Sequence, residues 1–347
     1  MNSYQPSFFD ESDRYMKLDK LNDPLTELKE RIDFEIFRKS IEAVFEKPRR
    51  SNAGRKQLDA VFMFKILILQ RLYNLSDEQM EFQINDRLSF CRFLGLHMGG
   101  SAPDYTTIWK FRDALAQAGA VKGLFDLFTR ELESRGLITR EGTIVDASFV
   151  EVPRQRNSKQ ENKLVKKGEV PDQWRDRPAK LRQKDLDARW TKKNGVSYFG
   201  YKDHVKADAA SKLITDYTVT DASVHDSREL FTLVDESCRG ESLFADSAYA
   251  GSDASARLAK MGVDDLIHER AYKNRPLGEI SIEANSIKSK VRCLVEHIFG
   301  FIENSMNGPE LRYIGLVRNE AAVGLSNLAY NMKRFIQLTR HENQPAA

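Results

Sequence analysis

Gly142-Thr-Ile-Val-Asp146-Ala-Ser-Phe-Val-Glu-Val152 has the composition of a buried strand. Residues 143 to 150 are apolar or β-branched except Asp146 and Ser148, and at strand period those two share a face. Desolvating a carboxylate is costly unless it is paired or metal-bound, so Asp146 is a candidate site residue. Ser242-Leu-Phe-Ala-Asp246-Ser-Ala-Tyr-Ala-Gly251 repeats the arrangement: a short apolar strand, an Asp, a small residue and a Gly turn. Either Asp alone also reads as a turn former or helix cap. Two strand-borne carboxylates together point to a metal site.

A third carboxylate lies on a helix. Over residues 286 to 304, Val291, Leu294, Val295, Ile298 and Ile302 fall on one face at a period of 3.6, with Arg292, Glu296 and Glu303 on its flank. Taken alone, Arg292 and Glu296 are an i, i+4 surface ion pair worth a few tenths of a kcal/mol.

Ile144-Val-Asp146-Ala, Phe244-Ala-Asp246-Ser-Ala-Tyr249 and Lys290-Val-Arg292-Cys-Leu-Val-Glu296-His297 resemble the three catalytic blocks of the IS5-family insertion-sequence transposases, whose acidic triad is called DDE. The likeness extends to Pro6-Ser-Phe-Phe-Asp10, Leu75-Ser-Asp-Glu-Gln79, Asp86-Arg-Leu-Ser-Phe90, Lys180-Leu-Arg-Gln-Lys184, Phe199-Gly-Tyr-Lys202 and Leu325-Ser-Asn-Leu-Ala-Tyr-Asn331. In the wider superfamily the third block reads Tyr, two residues, Arg, three residues, Glu, six residues, Lys. Here Arg292 and Glu296 fit, while Ser289 stands for the Tyr and Glu303 for the Lys that meets DNA, so Lys288, Lys290 or Arg312 would have to substitute for that Lys.

What the resemblance implies is an α/β ribonuclease-H-like catalytic domain, a mixed five-stranded sheet with helices, preceded by an all-α N-terminal DNA-binding domain. Catalysis and metal binding fall to Asp146, Asp246 and Glu296, holding two Mg²⁺ or Mn²⁺ ions about 3.5–4 Å apart. The implied reaction frees a 3'-hydroxyl at each element end and joins it to target DNA without a covalent protein intermediate. Joining two ends implies double-stranded DNA as partner, both terminal inverted repeats and target, and a homodimer on DNA. Two rivals remain: an idle transposase-derived DNA-binding protein, and a metal-dependent nuclease of the same fold that cuts without joining.

The chain of 347 residues, 41% hydrophobic and 30% charged, is long enough for two cores. It has no apolar run of the roughly 18 residues that a membrane span requires and no signal peptide, so the expected location is cytoplasmic, with the nucleoid. Cys91, Cys238 and Cys293 lack metal spacing and read as reduced. With a net charge of only +3, where the cations sit matters more than their sum.

The first 22 residues read as an arm that becomes ordered against another surface, and 24 to 46 as a helix behind Asp23 and Pro24. Lys47 to Lys56 is a basic linker that reads as a solvated loop or a phosphate contact. Leu58 to Tyr73 is apolar nearly all round and predicts a central helix. Ser76 or Asp77 caps the next helix, and Thr106 or Thr107 lies near the cap of another. Residues 76–115 fit a helix-turn-helix presenting Thr106, Thr107, Lys110 and Arg112, or equally a plain bundle. Val121 to Arg135 adds a helix ended by Gly136.

The pattern turns from helices to strands near residue 138. The expected division is 1–138 helical, 139–338 catalytic and 339–347 a frayed tail. Strands are predicted at 143–150, 197–207, 212–220, 242–246 and 264–268, with helices at 226–237, capped by Asp226 with Glu229, and at 319–338. The interruption at 153–196 carries fourteen cations against six anions, with Trp174 and Trp190 interleaved, and fits phosphate binding or a disordered solubilising loop. Each phosphate neutralised would steepen the salt dependence by about 0.9 log units per log salt. DNA contacts are expected from Arg292, Lys288, Lys290, Lys202, Arg154, Arg156, Lys180, Arg182, Lys110 and Arg112. His204, His225 and His297 rank below the triad.

Overall fold

A computed structural model of the protein describes residues 10–46, 57–97, 100–271, 276–308 and 310–340. The basic linker Lys47 to Lys56, the start of the arm and most of the tail lie outside the described residues. The chain divides into two units: one runs to Ala120 and resumes at Met332, the other is Val121–Asn331. The helix Ala120–Ser134 therefore counts with the second unit, which the pattern change near 138 does not reveal.

In the first unit, Ala60–Leu72 is the central helix, with all but Phe62 and Lys65 buried, as an all-round apolar sequence requires. Asp59 caps it by accepting from the Phe62 amide at 2.8 Å. Phe34 meets Phe37, Phe64 and Phe93 around it. Ser76 and Gln79 close a capping box on Asp77–Asp86.

Of three expectations here, the one for residues 24–46 is corrected. The arm becomes helical over Asp10–Lys20, where Tyr15 lies under the Arg92 guanidinium. The single helix over 24–46 is three pieces, Pro24–Arg31, a 3₁₀ turn Phe34–Phe37 and Arg38–Phe45, because Ile32 is extended and the Asp33 carboxylate starts a new turn at the Glu35 amide. Tyr105–Gln117 is capped by Asp104, whose carboxylate takes the Thr107 amide and both threonine hydroxyls, so both threonines lie beside the cap as expected.

The second unit is built on a mixed sheet of six strands: β1 Gly142–Glu151, β2 Arg189–Lys193, β3 Val196–Asp208, β4 Ile214–Asp221, β5 Ser242–Phe244 and β6 Asp264–Asp265. Order across the sheet is β2-β3-β1-β5-β6, with β4 also on β3. β3 runs antiparallel to β1, β2 and β4, whereas β1, β5 and β6 are mutually parallel. The strand count exceeds the expected five by β2, which lies inside the supposed insertion.

Gly200 is where β3 exchanges one edge partner for the next, facing Arg189 of β2 while Tyr201 faces Asp221 of β4. Its φ of +149°, and a Cβ that would lie 2.2 Å from the Val150 carbonyl oxygen, leave no residue but glycine there.

The segment 153–196 is folded, not a loop. It forms helices Lys159–Lys166, Asp172–Arg175 and Pro178–Leu181 before β2. Trp174 is fully buried and donates its indole N–H to Glu161 at 2.6 Å. Asp185 accepts the Tyr201 hydroxyl and the Gly315 amide, and Asp187 the Leu316 amide, fixing the start of the helix Leu316–Thr339.

The expected helix at 226–237 is instead a 3₁₀ turn Asp226–Arg228, a single helical turn Leu230–Leu233 and a second 3₁₀ turn Glu236–Cys238. Asp226 does not cap: its carboxylate is taken by the Lys202 ammonium at 2.7 Å, and His225 caps the Ser227 amide. The helix expected over 286–304 begins at Glu279, breaks at Cys293, resumes as Leu294–Gly300 and ends in a π turn Phe301–Ser305.

Candidate active site

β1 and β5 pair in parallel with Gly142, Thr143 and Ile144 opposite Ser242, Leu243 and Phe244. The same offset carries Asp246, just past the end of β5, to the level of Asp146. β5 stops at Phe244 while β1 runs on to Glu151, so the chain leaving the carboxyl end of β5 passes beside the middle of β1, where Asp146 sits. Asp146 is half-buried, its Oδ1 accepting its neighbour Ala147's amide at 2.8 Å, while the Asp246 carboxylate takes the Ala248 amide at 2.6 Å.

Burial pushes the Asp146 carboxyl up to about 6; the negative charge of Asp246 adds to the rise, and Arg292 and Lys193 oppose it. Glu296, on the helix Leu294–Gly300, is reached through Arg292. That guanidinium gives Nη1 to Asp146 Oδ2 at 3.1 Å and Nη2 to Glu296 Oε1 at 3.0 Å. Asp146 and Glu296 are thus joined by an arginine, and Asp246 stands level with Asp146 where β5 has ended. Among the described residues, no three Asp, Glu, His or Cys side chains converge closely enough to hold a metal ion.

His268, not singled out in the sequence, lies beside the same end of β5. Its amide bonds the Ala245 carbonyl and its imidazole meets the Ser289 hydroxyl at 3.3 Å. Burial, then Arg292 and Lys288, push the imidazole below its usual pKa against the pull of Asp246, which favours the neutral ring. The available signal was positional: His268 follows a strand parallel to the one that delivers Asp246. Tyr249 is buried and its hydroxyl has no hydrogen-bond partner; burial raises its pKa, and Asp146, Asp226, Asp246 and Glu229 raise it further. Four carboxylates therefore bear on one phenol.

A model of the family described as "Transposase DDE domain" matches residues 138–332, and one described as "Transposase domain (DUF772)" matches residues 13–114. The chain belongs to the DDE transposase family. Among solved structures it is similar to a piggyBac transposase synaptic complex with hairpin DNA, at 12% identity and a TM-score of 0.47, covering 90% of this chain and 76% of that one.

In this transposase the cations expected on DNA fall into two groups. Lys110, Arg154, Arg156, Arg182 and Lys290 are exposed, as is Arg312. Arg154 lies over the half-exposed Trp190 at 6.0 Å. Lys180 is shared between Glu161 and the Trp174 ring, and Lys288 donates to the Ile267 carbonyl at 3.0 Å.

Lys202 and Arg112 are turned inward instead, contrary to the expectation of a DNA contact. Lys202 Nζ is held by the Val224 carbonyl and Asp226, each at 2.7 Å. Arg112 is 6% exposed and bonded to Asp77 and Gln70. The apolar period of the Tyr105–Gln117 helix explains the latter: Ile108, Phe111 and Leu115 are buried and Arg112 lies on their side, whereas Tyr105, Trp109 and Lys110 face out.

Of the histidines, His204 is wholly buried with Nε2 on the Thr220 hydroxyl at 2.8 Å, and burial lowers it to about 4. His225 caps a turn, and His297 is exposed. Ser289, which stands for the wider superfamily's Tyr, bonds His268; Glu303, which stands for its Lys, is exposed on the π turn. No helix among the described residues is long and apolar enough to cross a membrane.

Proposed function

We propose that this chain is the transposase of an IS5-like insertion sequence, which binds terminal inverted repeats, cleaves the element ends and joins the 3'-hydroxyls to target DNA. The observation that carries it is the level placement of Asp146, midway along β1, and Asp246, just past the end of β5, with Arg292 linking Asp146 to Glu296. The donor chemistry fits a hard divalent cation: all three groups are carboxylates, and the half-buried Asp146 is held up to about 6 by burial and by the charge of Asp246, a repulsion that a cation would relieve. Asp146, Asp246 and Glu296 would hold Mg²⁺ or Mn²⁺, in the family manner as two ions, whose chemistry is activation of the attacking oxygen and neutralisation of the leaving one.

The chain's own residues supply the rest. Arg292, with a planar fork of donors, suits a phosphate beside the cut. A neutral His268 next to Asp246 adds a hydrogen-bonding group without adding charge. The exposed cations Arg154, Arg156, Arg182, Lys290 and Lys110 would neutralise backbone phosphates and set the register of the duplex, and Trp190 beside Arg154 offers a flat apolar surface to it. Two ends joined in one event call for two copies of the chain on DNA.

The test is strand transfer by the purified protein, with pre-cut ends carrying the inverted repeats, a supercoiled target plasmid and Mg²⁺, beside Asp246→Ala. Joined product from the wild type and none from the variant is the expected result. Cut DNA never joined would assign a nuclease. Ends bound but neither cut nor joined in Mg²⁺ or Mn²⁺ would leave a binding protein.

A further inference from the structure

Arg292 is placed oddly for a residue whose task is only to bind DNA. It is the last residue of the helix Glu279–Arg292, and its side chain, 22% exposed, turns to the carboxylates rather than outward. Both terminal nitrogens are committed, one to Asp146 at 3.1 Å and one to Glu296 at 3.0 Å. Its Nε is buried without a hydrogen-bond partner. A guanidinium with a desolvated orphan N–H is incompletely satisfied, and a phosphate, with oxygens for the whole fork, is the better partner.

The helix that carries it is lightly held. None of its residues is buried, and Ile280 and Ile287 are 86% and 61% exposed. Its described attachments are polar: Asn285 to the Glu269 backbone, Lys288 to the Ile267 carbonyl and Ser289 to His268. A single turn residue, Cys293, separates Arg292 from the helical segment that carries Glu296. An element with polar anchors and no buried residue can shift at small cost.

We propose that Arg292 is an internal counter-ion that keeps Asp146 and Glu296 from divalent metal until a DNA phosphate takes it. Without DNA, the guanidinium occupies one oxygen of each of two carboxylates that a cation would need, Asp146 Oδ2 and Glu296 Oε1. When a duplex end is bound, its phosphate competes for the fork, Arg292 leaves the carboxylates, and the three acidic groups are free to close on metal. By linkage, DNA raises metal affinity and metal raises DNA affinity by the same factor. The site is then competent only when its substrate is in place, which restrains cutting elsewhere.

The inference rests on the reading of Asp146, Asp246 and Glu296 as metal ligands, and the experiment separates the two. Mn²⁺ binding to the full chain is followed by the loss of the free-ion EPR signal, with Mn²⁺ alone and with a short duplex of the inverted-repeat end. Arg292→Gln should bind Mn²⁺ roughly tenfold more tightly than wild type without DNA, and the duplex should tighten the wild type by a similar factor but not the variant.

Arg292→Lys keeps the charge but loses the fork and should fall between them; it serves as the comparison if Arg292→Gln melts early. Equal or weaker Mn²⁺ binding by the Arg292 variants, or equal tightening of all three proteins by the duplex, overturns the counter-ion role. If Asp146→Asn and Asp246→Asn leave Mn²⁺ binding unchanged, the ligand reading itself fails, whatever Arg292 does.

Discussion

Arg112 and Asp77 form a fork-to-carboxylate pair inside the helical unit, with Nη2 donating to Oδ2 at 2.8 Å and Nη1 reaching Oδ1 and Gln70. Burial of Asp77 works to raise its pKa, but the hydrogen bond and charge of Arg112 prevail and hold it below the usual carboxylate range. Arg112→Ala should therefore cost about 3–5 kcal/mol in urea unfolding, because it leaves Asp77 partly buried and unpaired. Lys110→Ala, two residues away on the exposed side, should stay within about 0.5 kcal/mol of wild type. If Arg112→Ala keeps full stability and only weakens DNA binding, the inward assignment is wrong.

Asp203 offers a pH signature. It is 5% exposed, with Asn327 donating to Oδ1 at 3.2 Å, and burial pushes its carboxyl up to about 7 against the lowering effect of that hydrogen bond. The folded carboxyl keeps its proton while the unfolded chain releases one from about pH 4 upward. This contribution is thus fully present below the unfolded pKa and is lost as pH rises to about 7. Asp203→Asn removes the effect, so the variant should gain about 2–3 kcal/mol relative to wild type between pH 5 and pH 8. Parallel stability curves for the two proteins across that range would count against a raised Asp203.

The contrast between these residues and their sequence readings shows where local pattern suffices. β1 was legible because an apolar, β-branched run makes its polar exceptions conspicuous, and the Leu58 to Tyr73 helix because it has no polar face. β2 was not: Arg189-Trp-Thr-Lys-Lys193 is mostly cationic, its side chains are largely exposed, and its strand state comes from pairing with β3 rather than from any apolar period. Asp226 carries a sound capping signature, yet Lys202, far off in sequence, claims its carboxylate. The Arg292–Glu296 pair could be read from its spacing. The Arg292–Asp146 contact could not, since nothing local relates residues brought together only by the fold.

Gly200 should tolerate nothing larger. Alanine there would put its Cβ 2.2 Å from the Val150 carbonyl oxygen at a φ of +149°, so either the β1–β3 ladder parts or the backbone turns. Gly200→Ala should cost roughly 2–4 kcal/mol, the sum of a strained backbone and an overpacked contact. The rearrangement would fall on the strand pair that carries Asp146, so loss of strand transfer should exceed what the unfolded fraction explains. An alanine variant as stable as wild type would show that this stretch of the sheet yields more readily than its geometry indicates.

Exposed and internal cations should separate in the salt dependence of DNA binding. Arg154, Arg156 and Arg182 are exposed, whereas Lys202 is held at 2.7 Å by both Asp226 and the Val224 carbonyl. If each of the three arginines neutralises one phosphate, replacing all three with Gln should flatten the slope of log K against log salt by about 2.7, at about 0.9 per phosphate. Lys202→Gln should leave the slope unchanged and cost on the order of 3 kcal/mol of stability, because Asp226 loses its counter-charge. Fluorescence anisotropy on the inverted-repeat duplex at several salt concentrations, beside urea unfolding, reads both. An unchanged slope in the triple variant would remove this cluster from the DNA path, and a flattened slope in a stable Lys202→Gln protein would return Lys202 to it.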